Sequence, residues 1–395
     1  MFQQRRERKR EQSEIESVSS VLDPDAPLPQ PKKRVGSSLV DRINKWNPFG
    51  KDVTGKDAVW LLDNTAFQTD NGQWRAEFVA AVFKQHSDNN MTGIVTYIAE
   101  LAGLADDDAE RQAIRERLLP FLTDVNRLAK THVSHVDKQL QLGPTGINGL
   151  STDVLDVSNV RAGSVVTATA KVPRTTKGML QMNTFYAGPE GWSIISDIDD
   201  TIKITLTSDP TSIIRETFVN PPTPVEGMPE LYASIKALLP RDTPWFYLSA
   251  SPYQLYPMLR QFRNTHFPGG TLILRDPAWN SIAGLIASLA TATEEYKVDR
   301  MDKIHSWLPR RKIIAIGDST QSDPEAYGRI YQSHPGWIRL ILIRKVTDIA
   351  AVGIKEKNEP ERFEKAFEGI PREAWHVFEE PSECLDIIQH AVGLD

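Results

Sequence analysis

The 395-residue chain holds a single cysteine, Cys384, which excludes an internal disulfide and any zinc site built from several cysteines. Long hydrophobic runs are also missing. Leu340-Ile341-Leu342-Ile343 and the broken stretch Ile282–Ala292 fall far short of the roughly 20 residues that cross a bilayer, so a membrane role is expected to be peripheral. Positive charge is not in excess: 46 Lys and Arg stand against 52 Asp and Glu, a net of −6, which leaves no whole-chain field to hold nucleic acid. The opening Met-Phe-Gln-Gln-Arg-Arg has no apolar segment behind it, and with one thiol the expected compartment is reducing and cytoplasmic. At roughly 150 residues per domain the length suits two to three domains.

Residues 1–36 are rich in Arg, Glu, Ser and Pro and nearly empty of aromatics, the composition of a disordered tail. Ten Lys/Arg against seven Asp/Glu up to Lys45 give this end +3 and leave −9 for the rest. Pro31-Lys32-Lys33-Arg34-Val35 reads either as a solvated run or as a nuclear or anionic-surface address. In 37–50, Leu39, Val40, Ile43 and Trp46 share one helical face beside Arg42 and Lys45; this amphipathic helix would dock on the body or on anionic lipid. Segment 51–187 reads as a β-rich accessory domain. It opens with Ala58–Leu62, a polar turn at Thr69-Asp70-Asn71-Gly72 and Trp74–Phe83, the pattern of a hairpin. A helical insertion is expected between Ile94 and Leu140, from the spacing of Leu118, Leu122, Val125 and Leu128, with strands returning at Val165–Val172.

From 188 to 350 five short apolar runs follow one another: Trp192–Ile195, Trp245–Leu248, Thr271–Leu274, Ile313–Ile316 and Ile338–Ile343. Helical spans separate them, around Met228–Leu239, Leu255–His266, Ala278–Trp307 and Pro324–Tyr331. The alternation predicts an α/β domain, a parallel sheet with helices on both faces, and 351–395 reads as a C-terminal helical segment. Ligands in such sheets bind at the carboxyl ends of the strands. Three of these ends carry chemistry: Asp197-Ile198-Asp199-Asp200-Thr201, Ser249-Ala250-Ser251-Pro252 and Gly317-Asp318 through Asp323. Up to four acids in one crevice repel one another unless a cation joins them, and an all-oxygen set suits Mg²⁺. Scattered surface acids are the bland alternative. An EF-hand is excluded, because its sixth and twelfth positions would be Ile202 and Ser208. Asp197 and Asp199, two apart, would share a face if the strand continued, so one could attack phosphorus while the other moves a proton.

Asp197-x-Asp199-x-Thr201, Ser249 after a strand, Lys297, and Asp318 with Asp323 resemble the four motifs of the haloacid-dehalogenase superfamily. More narrowly, these motifs, with Thr217-Phe218-Val219, Gly227-Met228-Pro229, Tyr296-Lys297 and Asp323-Pro324-Glu325, resemble the fungal actin-patch phosphatidate phosphatases, with a lipin-like catalytic domain, over about Trp192–Lys345. The accessory segment resembles them loosely, through Leu62-Asp63-Asn64-Thr65. The resemblance implies a haloacid-dehalogenase-like Rossmannoid fold and a Mg²⁺-dependent phosphatidate phosphatase that releases diacylglycerol. Asp197 would be nucleophile and metal ligand, and Asp199 the general acid/base, lending its carbonyl to the metal. Thr201 would support the loop, and Ser249 or Ser251 would bind phosphate. Lys297 would stabilise the transferred phosphoryl group, Asp318 would complete the metal shell, and Asp323 would ligate through water or orient Lys297. By itself, Lys297 in Glu294-Glu295-Tyr296-Lys297 reads as an ordinary surface lysine, and Asp200 as the cap of a turn.

The gaps Lys203–Thr243 and Pro252–Tyr296 leave little chain for a lid, which favours a substrate that brings its own bulk. Trp279, Ile282, Leu285 and Ile286 form an apolar stripe before Lys297, either a core helix or a rim meeting acyl chains. Two other functions stay open: a phosphatase for a soluble phosphomonoester or phosphoprotein, and a non-catalytic phosphatidate-binding module. Kinship further implies cortical actin patches, endocytosis and SH3-bearing cytoskeletal partners, for which Pro24–Pro31 is the one candidate segment.

Overall fold

In the computed structural model, which describes residues 50–85, 95–96, 98–100, 102–103, 108–207, 209–276, 294–347 and 354–393, the alternating segments near the front of the chain pair into one sheet. Its strands are β1 (Lys51–Asp52), β2 (Asp57–Leu61), β3 (Asn64–Gln68), β4 (Trp74–Lys84), β5 (Ala129–His135), β6 (Lys138–Leu142), β7 (Leu150–Asp156), β8 (Val165–Lys171) and β9 (Gln181–Ala187). The expected turn at Thr69–Gly72 is present, with Gly72 at a left-handed φ of 80° and its N–H donating to the Thr69 carbonyl at 2.8 Å. Its first arm is β3 rather than Ala58–Leu62, which up to Leu61 lies in β2 and pairs antiparallel with the far half of β4. Helix α1 (Asp108–Leu122) is inserted between β4 and β5 and buries Ile114, Leu118, Phe121 and Leu122. One expectation needs correction: strands return at Ala129, not Val165. In β5 alternate residues are buried, but Thr131 and His135 are among them, so no hydrophobic period marks the strand.

All five apolar runs of the second half form strands: β10 (Gly191–Asp197), β11 (Trp245–Pro252), β12 (Thr271–Arg275), β13 (Arg311–Asp318) and β14 (Ile338–Arg344). A sixth, β15 (Trp375–Phe378), corrects the reading of 351–395 as purely helical. Its four residues are too few to carry a period, and pairing with β14 places them. The order is β12-β11-β10-β13-β14-β15, every neighbour parallel. Around it run α2 (Pro210–Ile214), α3 (Met228–Leu238), α4 (Tyr256–His266), α5 (Glu294–Trp307), α6 (Asp323–Ser333), α7 (Ile354–Lys357), α8 (Pro360–Ala366) and α9 (Cys384–Val392).

The two faces of this sheet bury alternate residues. Ile194, Ile314, Ile316, Leu340 and Leu342 pack with Tyr232 and Leu259, while Ile195, Ile313, Ala315, Ile341 and Ile343 pack with Met301, Ile304 and Tyr327. Helices on both sides therefore make the central strands apolar on both faces. The first cluster also takes in Ile98, Ile114 and Leu118 of the helical insertion and Cys384 and Ile388 of α9. Between the two sheets, Asp63 accepts from Arg260 Nε at 3.0 Å and from Arg263 Nη2 at 2.8 Å, with both its carboxylate and Arg263 almost fully buried. The tail, the 37–50 helix with its Leu39–Trp46 face, the Pro31–Val35 run and the Trp279 stripe lie outside the described residues. Among the described residues no helix is long and apolar enough to cross a membrane.

Candidate active site

Three strand ends and two helices converge on the carboxyl edge of the parallel sheet. Strand β10 ends at Asp197, and the chain then folds back, the N–H groups of Ile202 and Lys203 donating to the Ile198 carbonyl at 3.0 and 2.9 Å. With Ile198 and Ile202 buried in the core, Asp197 and Asp199 meet different neighbours. The shared face expected of a continuing strand is therefore replaced by a division. Asp197 Oδ1 lies 2.7 Å from Lys297 Nζ in a buried ion pair, and Asp197 Oδ2 accepts from Thr201 Oγ1 at 3.3 Å. Asp199 turns to the end of β11, accepting from Ser249 Oγ at 2.6 Å, Ser251 Oγ at 3.3 Å and Thr205 Oγ1 at 2.8 Å.

Lys297 is fully buried and bridges Asp197 and Asp323. The residues at its helical spacing, Met301 and Ile304, also face the core, so a lysine that reads as surface from its acidic neighbours is in fact at the site. Asp318 ends β13; it accepts from Thr320 N at 2.6 Å and from Thr201 Oγ1 at 3.2 Å. Asp323 opens α6, and its Oδ2 accepts the Asp318 N–H at 3.0 Å. Gly317 permits that approach, since a Cβ there would lie 2.7 Å from Asp323 atoms. Carboxylate oxygens of Asp197, Asp318 and Asp323, all buried, come within 4.8 Å of one another. Hard oxygen donors this close fit a divalent cation of the Mg²⁺ type, and the Asp199 carboxylate is not among them.

The electrostatics follow from burial. Desolvation pushes Asp197 well above the usual carboxylate range; Lys297 opposes the shift, and Asp323, Asp318 and Asp199 add to it. Asp318 is pushed up to about 6, first by burial and then by Asp323, against Lys297 and the Thr320 hydrogen bonds. Burial works against the Lys297 charge, but Asp197, Asp323 and Asp318 outweigh it and hold its pKa above that of free lysine.

Asp200 is a cap rather than a fourth ligand. It sits at φ 61°, a left-handed conformation Asp tolerates, and its carboxylate accepts the N–H groups of Thr205, Leu206 and Thr207 at 2.7–2.9 Å. Sequence reasoning missed Thr205, which hydrogen-bonds Asp199, and Thr320, which holds Asp318. Thr320 sits inside a recognised segment. Nothing in the local pattern marks Thr205, six residues past Asp199, because only the fold-back of 198–205 brings it there.

A buried lysine joined to carboxylates, beside a second carboxylate held by hydroxyls, can neutralise an anionic group and move a proton at the same place. Residues 192–345 match the family model for "Phosphatidate phosphatase APP1, catalytic domain". The chain is 33% identical over 162 residues to phosphatidate phosphatase APP1 of Saccharomyces cerevisiae, covering 40% of this chain and 27% of that protein. It is 30% identical over 158 residues to an uncharacterized protein of Schizosaccharomyces pombe, covering 40% of this chain and 25% of the other. It thus spans about a quarter of the length of these relatives.

Proposed function

We propose that the chain is a Mg²⁺-dependent phosphatidate phosphatase, built on a haloacid-dehalogenase-like Rossmannoid sheet, that hydrolyses phosphatidate to diacylglycerol and inorganic phosphate. The observation that carries this is Lys297, buried and ion-paired to Asp197 within a cluster of three carboxylates. Asp197 would attack phosphorus in line, forming an aspartyl-phosphate as the bond to the glycerol oxygen breaks. Asp199 would give its proton to that oxygen and later take one from the water that attacks phosphorus of the acyl-phosphate, releasing phosphate and restoring the Asp197 carboxylate and the protonated Asp199. Ser249 and Ser251, hydrogen-bonded to Asp199, orient it and can turn to a phosphate oxygen. Lys297 neutralises charge gathering on the phosphoryl group. Asp197, Asp318 and Asp323, with the Asp199 carbonyl, would hold Mg²⁺, which when bound screens the phosphate's charge. The substrate assignment rests on the name of the yeast relative, and a peripheral membrane location follows from such a substrate. Cortical actin patches and SH3 partners rest on the sequence resemblance.

The test is phosphate release from phosphatidate in mixed micelles, with and without Mg²⁺, by wild type, Asp197→Asn and Asp199→Asn, with a soluble phosphomonoester alongside. Metal-dependent release lost in both variants, with the soluble ester poorly used, is the expected result. Equal turnover of the soluble ester would assign a general phosphatase. No turnover of either, with phosphatidate still bound, would make the protein a lipid-binding module.

A further inference from the structure

Arg362 lies on α8, beyond Lys345, where the family match ends. Its guanidinium nevertheless spans the loop between β13 and α6 that carries two of the three clustered carboxylates. Nε and Nη2 form a fork on Glu325 at 2.8 and 2.9 Å, Nη1 donates to the carbonyls of Ser319 and Lys357, and Nη2 also donates to the carbonyl of Gln321. Ser319 directly follows Asp318; Gln321 and Glu325 flank Asp323 at two residues' distance. A lysine at this position could not reproduce the bidentate geometry on Glu325 together with the three carbonyls.

We propose that Arg362 is a positioning residue for the metal-binding loop: by fixing Ser319, Gln321 and Glu325 it sets the spacing of Asp318 and Asp323, and so the affinity for a divalent cation. This rests on the reading of those carboxylates as metal ligands. Outer groups that orient ligating carboxylates commonly change metal affinity by 10–100-fold when removed. Arg362 touches neither substrate nor the reacting groups, so its loss acts on metal binding and leaves the chemistry at saturating metal intact.

The experiment uses the full chain as wild type, Arg362→Met, Arg362→Lys and Glu325→Gln. Mg²⁺ binding is measured calorimetrically without substrate, and phosphatidate turnover is followed against Mg²⁺ concentration. Arg362→Met is expected to weaken Mg²⁺ binding by about tenfold and raise the half-saturating Mg²⁺ by the same factor. At saturating Mg²⁺, kcat and the KM for lipid should stay within about twofold of wild type. Arg362→Lys and Glu325→Gln should give smaller shifts in the same direction. If Arg362→Met does not fold, these two variants decide. Unchanged Mg²⁺ affinity in the folded variants overturns the proposal, as does a wild type that binds no divalent cation. A wild type that binds Mg²⁺ but turns over no phosphatidate overturns the functional reading alone, because the calorimetric comparison still reports on the clamp.

Discussion

At the scale of single residues, the site is a balance of buried charges with Lys297 at its centre. Replacing Lys297 with Met leaves Asp197 and Asp323 facing each other without their shared cation. Breaking a buried pair from one side costs about 3–5 kcal/mol, so the variant is expected to unfold at a clearly lower urea concentration. Turnover should fall by about 10³-fold, the scale for losing a charge-stabilising group. Added Mg²⁺ should recover part of the stability and none of the activity, which a denaturation series with parallel phosphate assays would read. Asp318 makes a pH prediction. Its folded pKa, about 6, lies above the ordinary carboxylate range, so the folded state keeps a proton the unfolded chain has lost. The stability this group contributes is therefore fully present below the ordinary range and gone once pH has risen past about 6. Protonation also competes with a cation, so Mg²⁺ affinity should be about tenfold weaker at pH 5 than at pH 7, on the basis of one proton at this pKa. Calorimetric titration at the two pH values checks it; equal affinities would count against Asp318 as a ligand.

At the scale of elements, the links between the two sheets are polar as well as apolar. Asp63, in the short connection between β2 and β3, is gripped by Arg260 and Arg263 of α4 and also accepts the Asn183 N–H at 2.8 Å. Arg263→Met strips one charge from a carboxylate that has no exposed surface. A loss of about 3–5 kcal/mol is expected by urea unfolding, partly relieved where Arg260 keeps its fork on Asp63. Nearby, Tyr253 OH donates to the Asn148 carbonyl at 2.9 Å, joining the loop before β7 to the turn that follows Ser251. Asp63 illustrates what single-sequence reading could and could not supply. Leu62-Asp63-Asn64-Thr65 stood out as a resemblance, but α4 lies almost 200 residues away in the chain, and no periodicity announces an ion pair across that distance.

At the scale of the whole molecule, one hydrophobic cluster joins the helical insertion, the parallel sheet and the C-terminal helix, through Ile114, Ile314 and Ile388 among others. Calorimetry of the full chain is therefore expected to show one cooperative transition, and a chain cut after Lys345, which loses β15 and α9, should not reach a native melt. Two well-separated transitions would show that the sheets unfold independently. The amino-acid sequence by itself determined the alternation of the five long strands with helices, because Ile- and Leu-rich runs between helical spans leave the chain few other ways to bury them. It also determined which groups end those strands, since Asp197, Ser249 and Asp318 each fall within two residues of the end of an apolar run. Only the tertiary structure decided the rest. From its own neighbours Lys297 reads as a surface residue, and only its resemblance to a motif points to the site; the docking of helix α5 is what buries it against Asp197. Asp197 and Asp199 part company because Ile198 and Ile202 pull the intervening loop into the core. Strand β15 and Arg362 take their places from neighbours that the chain reaches only after folding, and such long-range pairing leaves no trace in local sequence.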